Sequence, residues 1–198
     1  MASTLQVDDI QNTSGTNLLV GGYPRMPGQI IEVVTSPCDG SAVTVGSGTY
    51  TVGNVSAVQV LTASYADITG SSISYTPPTG TTRVRYIFEY NFYWPNSGSH
   101  CISHHKFFLD GVEVVFARHS RSGVYPEGRY SFEWTVAIGG TPNTNTGRIA
   151  TWTGARIMKM QSRFYGAGNP MNLHGTNYWD GTTSTQLGIP VITVMAIV

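Results

Sequence analysis

Apolar and polar residues alternate along much of this chain, and the alternation has a period of two. Across residues 83–94, Val84, Tyr86, Phe88, Tyr90 and Phe92 interleave with Arg83, Arg85, Ile87, Glu89 and Asn91. Strict alternation over that length predicts a strand with one buried aromatic face. Tyr130, Phe132, Trp134, Val136 and Ile138 repeat the pattern against Ser131, Glu133, Thr135 and Ala137. Residues 106–109 and 112–117 flank Asp110-Gly111, a pair that supplies the positive φ values of a type I′ turn, and so predict a hairpin. Val58 and Val60 lead into a strand-like run over residues 61–68, and residues 73–76 stop at Pro77-Pro78. Residues 151–164, with Ile157, Met158 and Met160, read as a strand with a bulge. Residues 189–198 are apolar almost throughout, which predicts burial on both sides, in a sandwich core or at a subunit interface. No segment shows a convincing amphipathic helix, and no repeat of fixed period is present.

Residues 1–35 differ from the rest. Leu5, Val7 and Ile10 are separated by polar residues, followed by the turn-forming run from Asn12 to Asn17. Leu18, Leu19 and Val20 are cut off by Gly21-Gly22 and Pro24, and Pro27-Gly28 precedes a further extended piece. Such pieces bury little alone, so residues 1–35 read as an extended attachment arm, with Leu5, Val7, Ile10, Leu18 and Leu19 packing on partners or on a neighbouring subunit. Val194 and Ile197 of the apolar last strand are assigned the same contacts. Residues 36–56 are Gly- and Thr-rich and read as a linker, and residues 57–198 as the main domain. About eight strands spaced by Gly, Pro and Asn turns point to an all-β fold, a jelly-roll-like β-sandwich.

Composition adds one point. Of 198 residues (21.4 kDa), 40% are hydrophobic and only 11% charged, against about 25% in typical soluble domains. Two accounts fit: a surface covered by other copies of the chain, or a Thr/Ser/Asn-rich surface that is soluble without charge. The net charge is zero and Lys and Arg are scattered, so no electrostatic footprint for nucleic acid or an anionic membrane is present. No apolar run is long enough to span a bilayer, and residues 1–10 lack the charge and apolar pattern of a secretory signal. Cys38 and Cys101 read as two reduced thiols, with one long-range bridge as the alternative.

Candidate chemistry is sparse. In an extended segment, His100 and His104 share one face and Cys101 and His105 the other. A zinc site needs ligands converging in a tetrahedron, so His100, His104 and His105 would need His119, His174 or a second subunit. The plainer reading packs these histidines among aromatics, and no metal or cofactor is expected. Two of Asp110, Glu113, Glu127, Glu133 and Asp180 are candidates for a glycosidase pair. Asp110 and Asp180 are explained by turns and the others by polar strand faces, and no nucleophile motif occurs. The chain reads as no enzyme. Trp94, Tyr178 and Trp179 sit beside polar residues and are candidates to stack a sugar ring; core packing or interface anchoring is the competing account.

The opening STLQVDDIQNTSG resembles the N-terminal "TLxVDxIQxTSG" segment of tail-fibre-like and other virion proteins of tailed bacteriophages, marine and cyanobacterial phages in particular. Residues 27–34 (PGQIIEVV) are similar to the "PGQxxxVV" piece that often follows, and residues 61–117 and 173–181 look like the jelly-roll head of such proteins. The resemblance implies a homotrimer assembled in the bacterial host cytoplasm, attached by its arm to other virion proteins of capsid or tail. A repetitive shaft is missing, which favours a capsid decoration or cement protein or a short appendage over a long fibre. It leaves as alternative a receptor-binding tail-fibre head recognising host surface glycan. No catalytic residues carry over.

Overall fold

Alternation becomes strand wherever one side of the segment finds a partner face to cover it. The computed structural model describes residues 19–20, 23–24, 26–95, 100–124, 127–166, 171–180 and 182–198. The first strands are β1 (Leu19–Val20), β2 (Tyr23–Pro24), β3 (Ile30–Pro37), β4 (Ala42–Val45), β5 (Gly48–Thr51), β6 (Gln59–Val60), β7 (Ala66–Asp67) and β8 (Ile73–Tyr75). The middle of the chain gives β9 (Arg83–Tyr93), β10 (His100–Leu109), β11 (Val112–Glu113), β12 (His119–Val124) and β13 (Glu127–Ala137). The last are β14 (Arg156–Phe164), β15 (Asn172–Leu173), β16 (Gly175–Asp180), β17 (Thr182–Leu187) and β18 (Val191–Ile197). Among the described residues the one helical piece is a 3-10 turn at Val115–Ala117.

The fold is all-β, a sandwich of two curled antiparallel sheets. In one sheet β18 lies between β3 and β9, and β13 pairs the other side of β9 along its whole length. In the other, β10 lies between β12 and β14, while β7 and β8 pair the far side of β14. The inward residues meet between the sheets: the Tyr86 ring packs at a tilt against Phe107, centroids 5.1 Å apart, and Phe107 against Phe132 at 5.6 Å. Val84, Tyr86, Phe88 and Tyr90 all lie in this core, as the alternation predicts.

Several expectations are corrected. Residues 30–37, read as the end of the arm and start of the linker, form β3, a full member of the larger sheet. The supposed linker supplies Tyr50, Val52 and Val55 to the core. The run over residues 61–68 forms no long strand; only Ala66–Asp67 pairs, at the margin of β14. Strand β14 keeps an unbroken register with β10 and needs no bulge, because Ile157 points outward while Met158 and Met160 point in. The hairpin turn is present, with φ of 51° at Asp110 and 77° at Gly111, but its return strand is two residues long before the chain tightens into the 3-10 turn. Finally, of the two alternatives for β18 the sandwich-core one fails, because within the chain it is buried on one face only. Ile192, Val194 and Ala196 face the core, and Val191, Thr193, Met195 and Ile197 face outward.

Cys38 and Cys101 are both free and buried, which excludes a bridge between them. Burial raises their thiol pKa values to about 12 and about 11; at Cys38 a backbone contact to Ile192 partly opposes this. Close beside Cys38, Gly70 has φ +83°, and a Cβ there would lie 2.6 Å from Val55 Cγ2 and 3.1 Å from Cys38 Cβ. Left-handed backbone at a residue with a side chain and overpacking each cost about 1–3 kcal/mol. Gly70→Ala is therefore expected to destabilise the protein by about 2–3 kcal/mol in a denaturant titration.

Candidate functional site

The histidine-rich segment lies on β10, and its register decides what each residue does. Pairing with β12 sets His105 opposite His119, His104 opposite Ser120 and Ser103 opposite Arg121. The pleat sends Cys101, Ser103 and His105 into the core and His104 outward, as expected from the sequence. The side chain of His100 lies outside the described residues.

His105 is enclosed. Its ring stacks on that of His119 with centroids 4.6 Å apart and planes 4° from parallel. The Tyr90 hydroxyl is 3.2 Å from Nδ1 and the Ser103 hydroxyl 2.9 Å from Nε2. A neutral imidazole uses one nitrogen as donor and one as acceptor, and two hydroxyls satisfy either tautomer. Burial pushes the His105 pKa well below the usual range, and the neighbouring His119, Arg121 and His104 add to this. His119 is also shifted down, first by burial; a contact of Nδ1 with the Ala117 carbonyl at 3.3 Å opposes and Arg121 reinforces the shift. With Nδ1 donating, its Nε2 is a buried acceptor with no protein partner.

His174 extends the layer. It packs edge-on against Phe88 and Tyr90, with centroids at 6.4 and 6.1 Å. Its φ is +64°, held by a bond from its own N–H to the Asn91 carbonyl at 2.7 Å and one from Gly188 N–H to its carbonyl at 2.9 Å. Burial lowers its pKa to about 4, opposed in part by the backbone of Thr69. His174, Tyr90, His105 and His119 thus form a continuous row of rings through the core. Sequence reading named His119 and His174 only as possible extra ligands. The row was hidden because it depends on which strands pair, not on local spacing.

These imidazoles are not arranged as ligands. Coplanar stacked rings direct their lone pairs side by side and not toward one point, and both nitrogens of His105 are engaged. Among the described residues no three His, Cys, Asp or Glu side chains come together where a metal would need them.

Beside the row, a surface cleft of about 290 Å³ is lined by Tyr65, His104, His105, Arg118, His119 and Ser120. The Lys106 ammonium lies 4.4 Å over the Tyr65 ring, and Glu113 pairs with both Lys106 and Arg118. That pairing holds the Glu113 carboxyl below its usual range; the Arg118 hydrogen bond is the main cause, with burial opposing. The other candidate acids are dispersed. Asp110 pairs with Arg156, Glu133 with Arg85, and Glu127 accepts from Thr176 and Asn177 on β16. The side chain of Asp180 lies outside the described residues.

The sugar-stacking candidates separate. Trp94 is 6% exposed and belongs to the core, so its ring has no open face to offer. Tyr178 is 55% exposed on the β16–β17 hairpin, and the side chain of Trp179 lies outside the described residues. Of the attachment residues, Leu5, Val7, Ile10 and Leu18 lie outside the described residues, and Leu19 pairs with Pro24 in β1–β2. Val194 faces the core between the sheets, which removes it as a surface contact; Ile197 faces outward. No helix among the described residues is long and apolar enough to cross a membrane.

Among the described residues, the outer side of β3 and β18 has no covering layer and is apolar. Val33, Thr35, Val191, Thr193, Met195 and Ile197 line it without a charge, and the hydroxyls of Thr35 and Thr193 bond to each other at 2.8 Å. The charged pairs Arg85–Glu133 and Arg129–Glu89 lie only across β9 and β13. Val33 is 40% and Ile30 48% exposed. No protein-family model matches this chain, and no curated protein matches it.

Proposed function

We propose that the chain is a self-associating structural subunit, a component of a tailed-phage virion that acts as a homotrimeric capsid decoration or cement protein or as a short fibre-like appendage. The observation that carries the self-association is the uncharged outer face of β3 and β18. Sheet faces that meet solvent normally alternate to polar residues, and contiguous apolar patches mark interaction surfaces. Here Val33, Val191, Met195 and Ile197 take those positions. The occupant is a second copy, because the ion-paired strands β9 and β13 border the face and give it a polar rim, the anatomy of a protein interface.

The strand order supports a jelly-roll reading of the sandwich. β3–β18–β9–β13 faces β8–β14–β10–β12, four principal strands in each sheet, and among these eight the chain changes sheet at every step except between β10 and β12. The virion assignment itself rests on the resemblance of the N-terminal segment. Tyr178 keeps a second reading in view: a head that recognises host surface glycan, for which Tyr178→Ala would abolish adsorption to host cells.

Light scattering on the purified chain tests the assembly. The expected mass is three times 21.4 kDa. Met195→Lys, which places a charge on the outer face without touching the core, is expected to yield folded monomer with a melting temperature within a few degrees of the parent. A wild-type chain that is monomeric at micromolar concentration and does not bind phage particles would sink the proposal.

A further inference from the structure

Strand β13 is an edge of its sheet. It pairs with β9 along its whole length, and no other strand among the described residues lies on its far side. The direction of the main-chain groups alternates along it. Ile138 N–H donates to the Thr82 carbonyl, so the even-numbered residues of β13 turn their N–H and C=O groups toward β9. The odd-numbered residues turn theirs away. At one end these are used: the Ala137 carbonyl accepts from Ile149, and Gly139 N–H donates to the Ile149 carbonyl. Over Arg129, Ser131, Glu133 and Thr135 they meet no main-chain partner among the described residues.

Natural edges are blunted by brevity, by proline or by a bulge. β13 has 11 residues, no proline and an unbroken register. The opposite edge, β3, ends at Pro37 and has the β4–β5 hairpin tied to it through Ser47.

The side chains along β13 say what fits beside it. Arg129, Ser131 and Glu133 all project to the solvent side of the sheet. Arg129 and Glu133 bond to Glu89 and Arg85 of β9, yet their side chains stay 53% and 56% exposed, which leaves each free to meet a second opposite charge. About Ser131 the strand is self-complementary, with a cation two residues before and an anion two residues after. Consider an antiparallel copy related by a twofold axis at Ser131. Arg129 then lies opposite Glu133 of the partner subunit, and Glu133 opposite Arg129 of the partner subunit. Each such pair exchanges two main-chain bonds, and opposite charges directly across a ladder are favourable where like charges are not. Charge alternates across the junction, from Arg85 and Glu133 to Arg129 of the partner subunit and Glu89 of the partner subunit. Neighbouring registers lose this. An axis at Arg129 or at Glu133 sets that residue against its own copy, and an axis at Tyr130 sets Glu133 against Glu127 of the partner subunit.

We propose that β13 pairs edge to edge with β13 of a second copy, antiparallel about a twofold axis at Ser131, so that the two sheets run on as one. The contact is isologous and closes itself, because the pairing uses up the edge. It goes beyond the association through β3 and β18 and does not rest on it, since β9 separates the two surfaces. Where the outer face builds a trimer, the edge joins one trimer to the next.

Cross-linking of the full chain carrying Ser131→Cys with a short bismaleimide tests this; the native Cys38 and Cys101 are buried and do not compete. A covalent dimer is expected, at least fivefold more abundant than from the exposed control Thr153→Cys. Adding Glu133→Arg sets like charges opposite each other and should lower the yield at least fivefold. Adding Arg129→Glu to that variant should restore it, with circular dichroism checking that each variant is folded. A yield equal to the control, one indifferent to Glu133→Arg, or one that Arg129→Glu does not restore overturns the pairing. The link is also expected to persist with Met195→Lys, and losing it there overturns the edge as a separate contact. A link formed by a chain that shows no trimer in light scattering counts against the threefold assembly and supports the edge pairing.

Discussion

Glu32→Ala is expected to lower the melting temperature by roughly 10 °C. Glu32 is a buried carboxylate on β3, and it holds the β4–β5 hairpin and β8 to the sheet. The Tyr75 hydroxyl donates to its Oε1 at 2.7 Å, Ser47 N–H donates to its Oε2 at 2.8 Å, and the Ser47 hydroxyl donates as well. The Ser47 hydroxyl lies 2.7 Å from that of Tyr50, which donates to the Thr76 carbonyl at 2.8 Å. The Tyr75 and Tyr50 rings are 5.0 Å apart, and Trp152 Nε1 closes the group with a bond to the Tyr75 carbonyl at 3.1 Å. Burial, then the Glu32 carboxylate, keeps the Tyr75 phenol protonated far above its ordinary range. Removing the acceptor leaves the fully buried Tyr75 hydroxyl and the Ser47 donors unpaired. Each unsatisfied buried donor costs about 1–3 kcal/mol, so a loss of about 4 kcal/mol is expected. For a chain of this size 1 kcal/mol moves the melting temperature by about 2–4 °C. Glu32→Gln keeps an acceptor and should lose about half as much. Thermal unfolding followed by circular dichroism measures both, and a drop below 3 °C for Glu32→Ala would show that the network adds little.

Stability should also fall steeply below pH 6.5, before the carboxylates titrate. His105 and His174 are buried and His119 is half-buried, and burial is the first cause lowering the pKa values of all three. Each is neutral when folded and takes up a proton near 6.5 when unfolded, so the unfolded state binds more protons as the pH falls. The stabilisation is full above 6.5 and is lost downward through the folded value, which for His174 is about 4. Each histidine contributes a slope of about 1.4 kcal/mol per pH unit in that window. Over its whole window His174 accounts for about 3 kcal/mol. Arg121, whose guanidinium lies 3.9 Å over the Tyr130 ring, and His104 both oppose a second positive charge in the layer. Asp39, Asp67 and Glu113 have lowered values and act further down, as the pH falls below the ordinary carboxylate range. Urea titrations between pH 7 and 4.5 separate the two windows. His174→Asn, which accepts the left-handed backbone and does not titrate, should reduce the slope by one histidine's share; an unchanged slope would remove His174 from the account.

The strand pattern was legible because side-chain direction in a strand repeats every two residues, so Tyr86, Phe88 and Tyr90 announce their own burial. The type I′ turn at Asp110-Gly111 was legible for the same local reason. What local pattern misjudged was exposure. The apolar run at the end of the chain looked buried on both faces, yet its outer face has no covering layer within one chain. Trp94 had two readings, a sugar-stacking ring or core packing, and it is core. Nothing local marks Glu32: β3 pairs with β18, more than 150 residues away, and turns its carboxylate inward. The candidate site was the least legible part. His104 and His105 are neighbours in sequence, yet one faces solvent and the other stacks on His119.

The sequence by itself therefore determined the class of fold, the alternation of each long strand and the shortage of charge, because these depend on residue type and a two-residue period. Tertiary structure alone decided which strands pair, and with that the histidine row, the Glu32 network, the open edge of β13 and the uncovered face of β3 and β18. Such features arise from registers between residues distant in the chain, and no local period encodes a register. The shortage of charge now has a definite place on the molecule: the outer positions of two neighbouring strands.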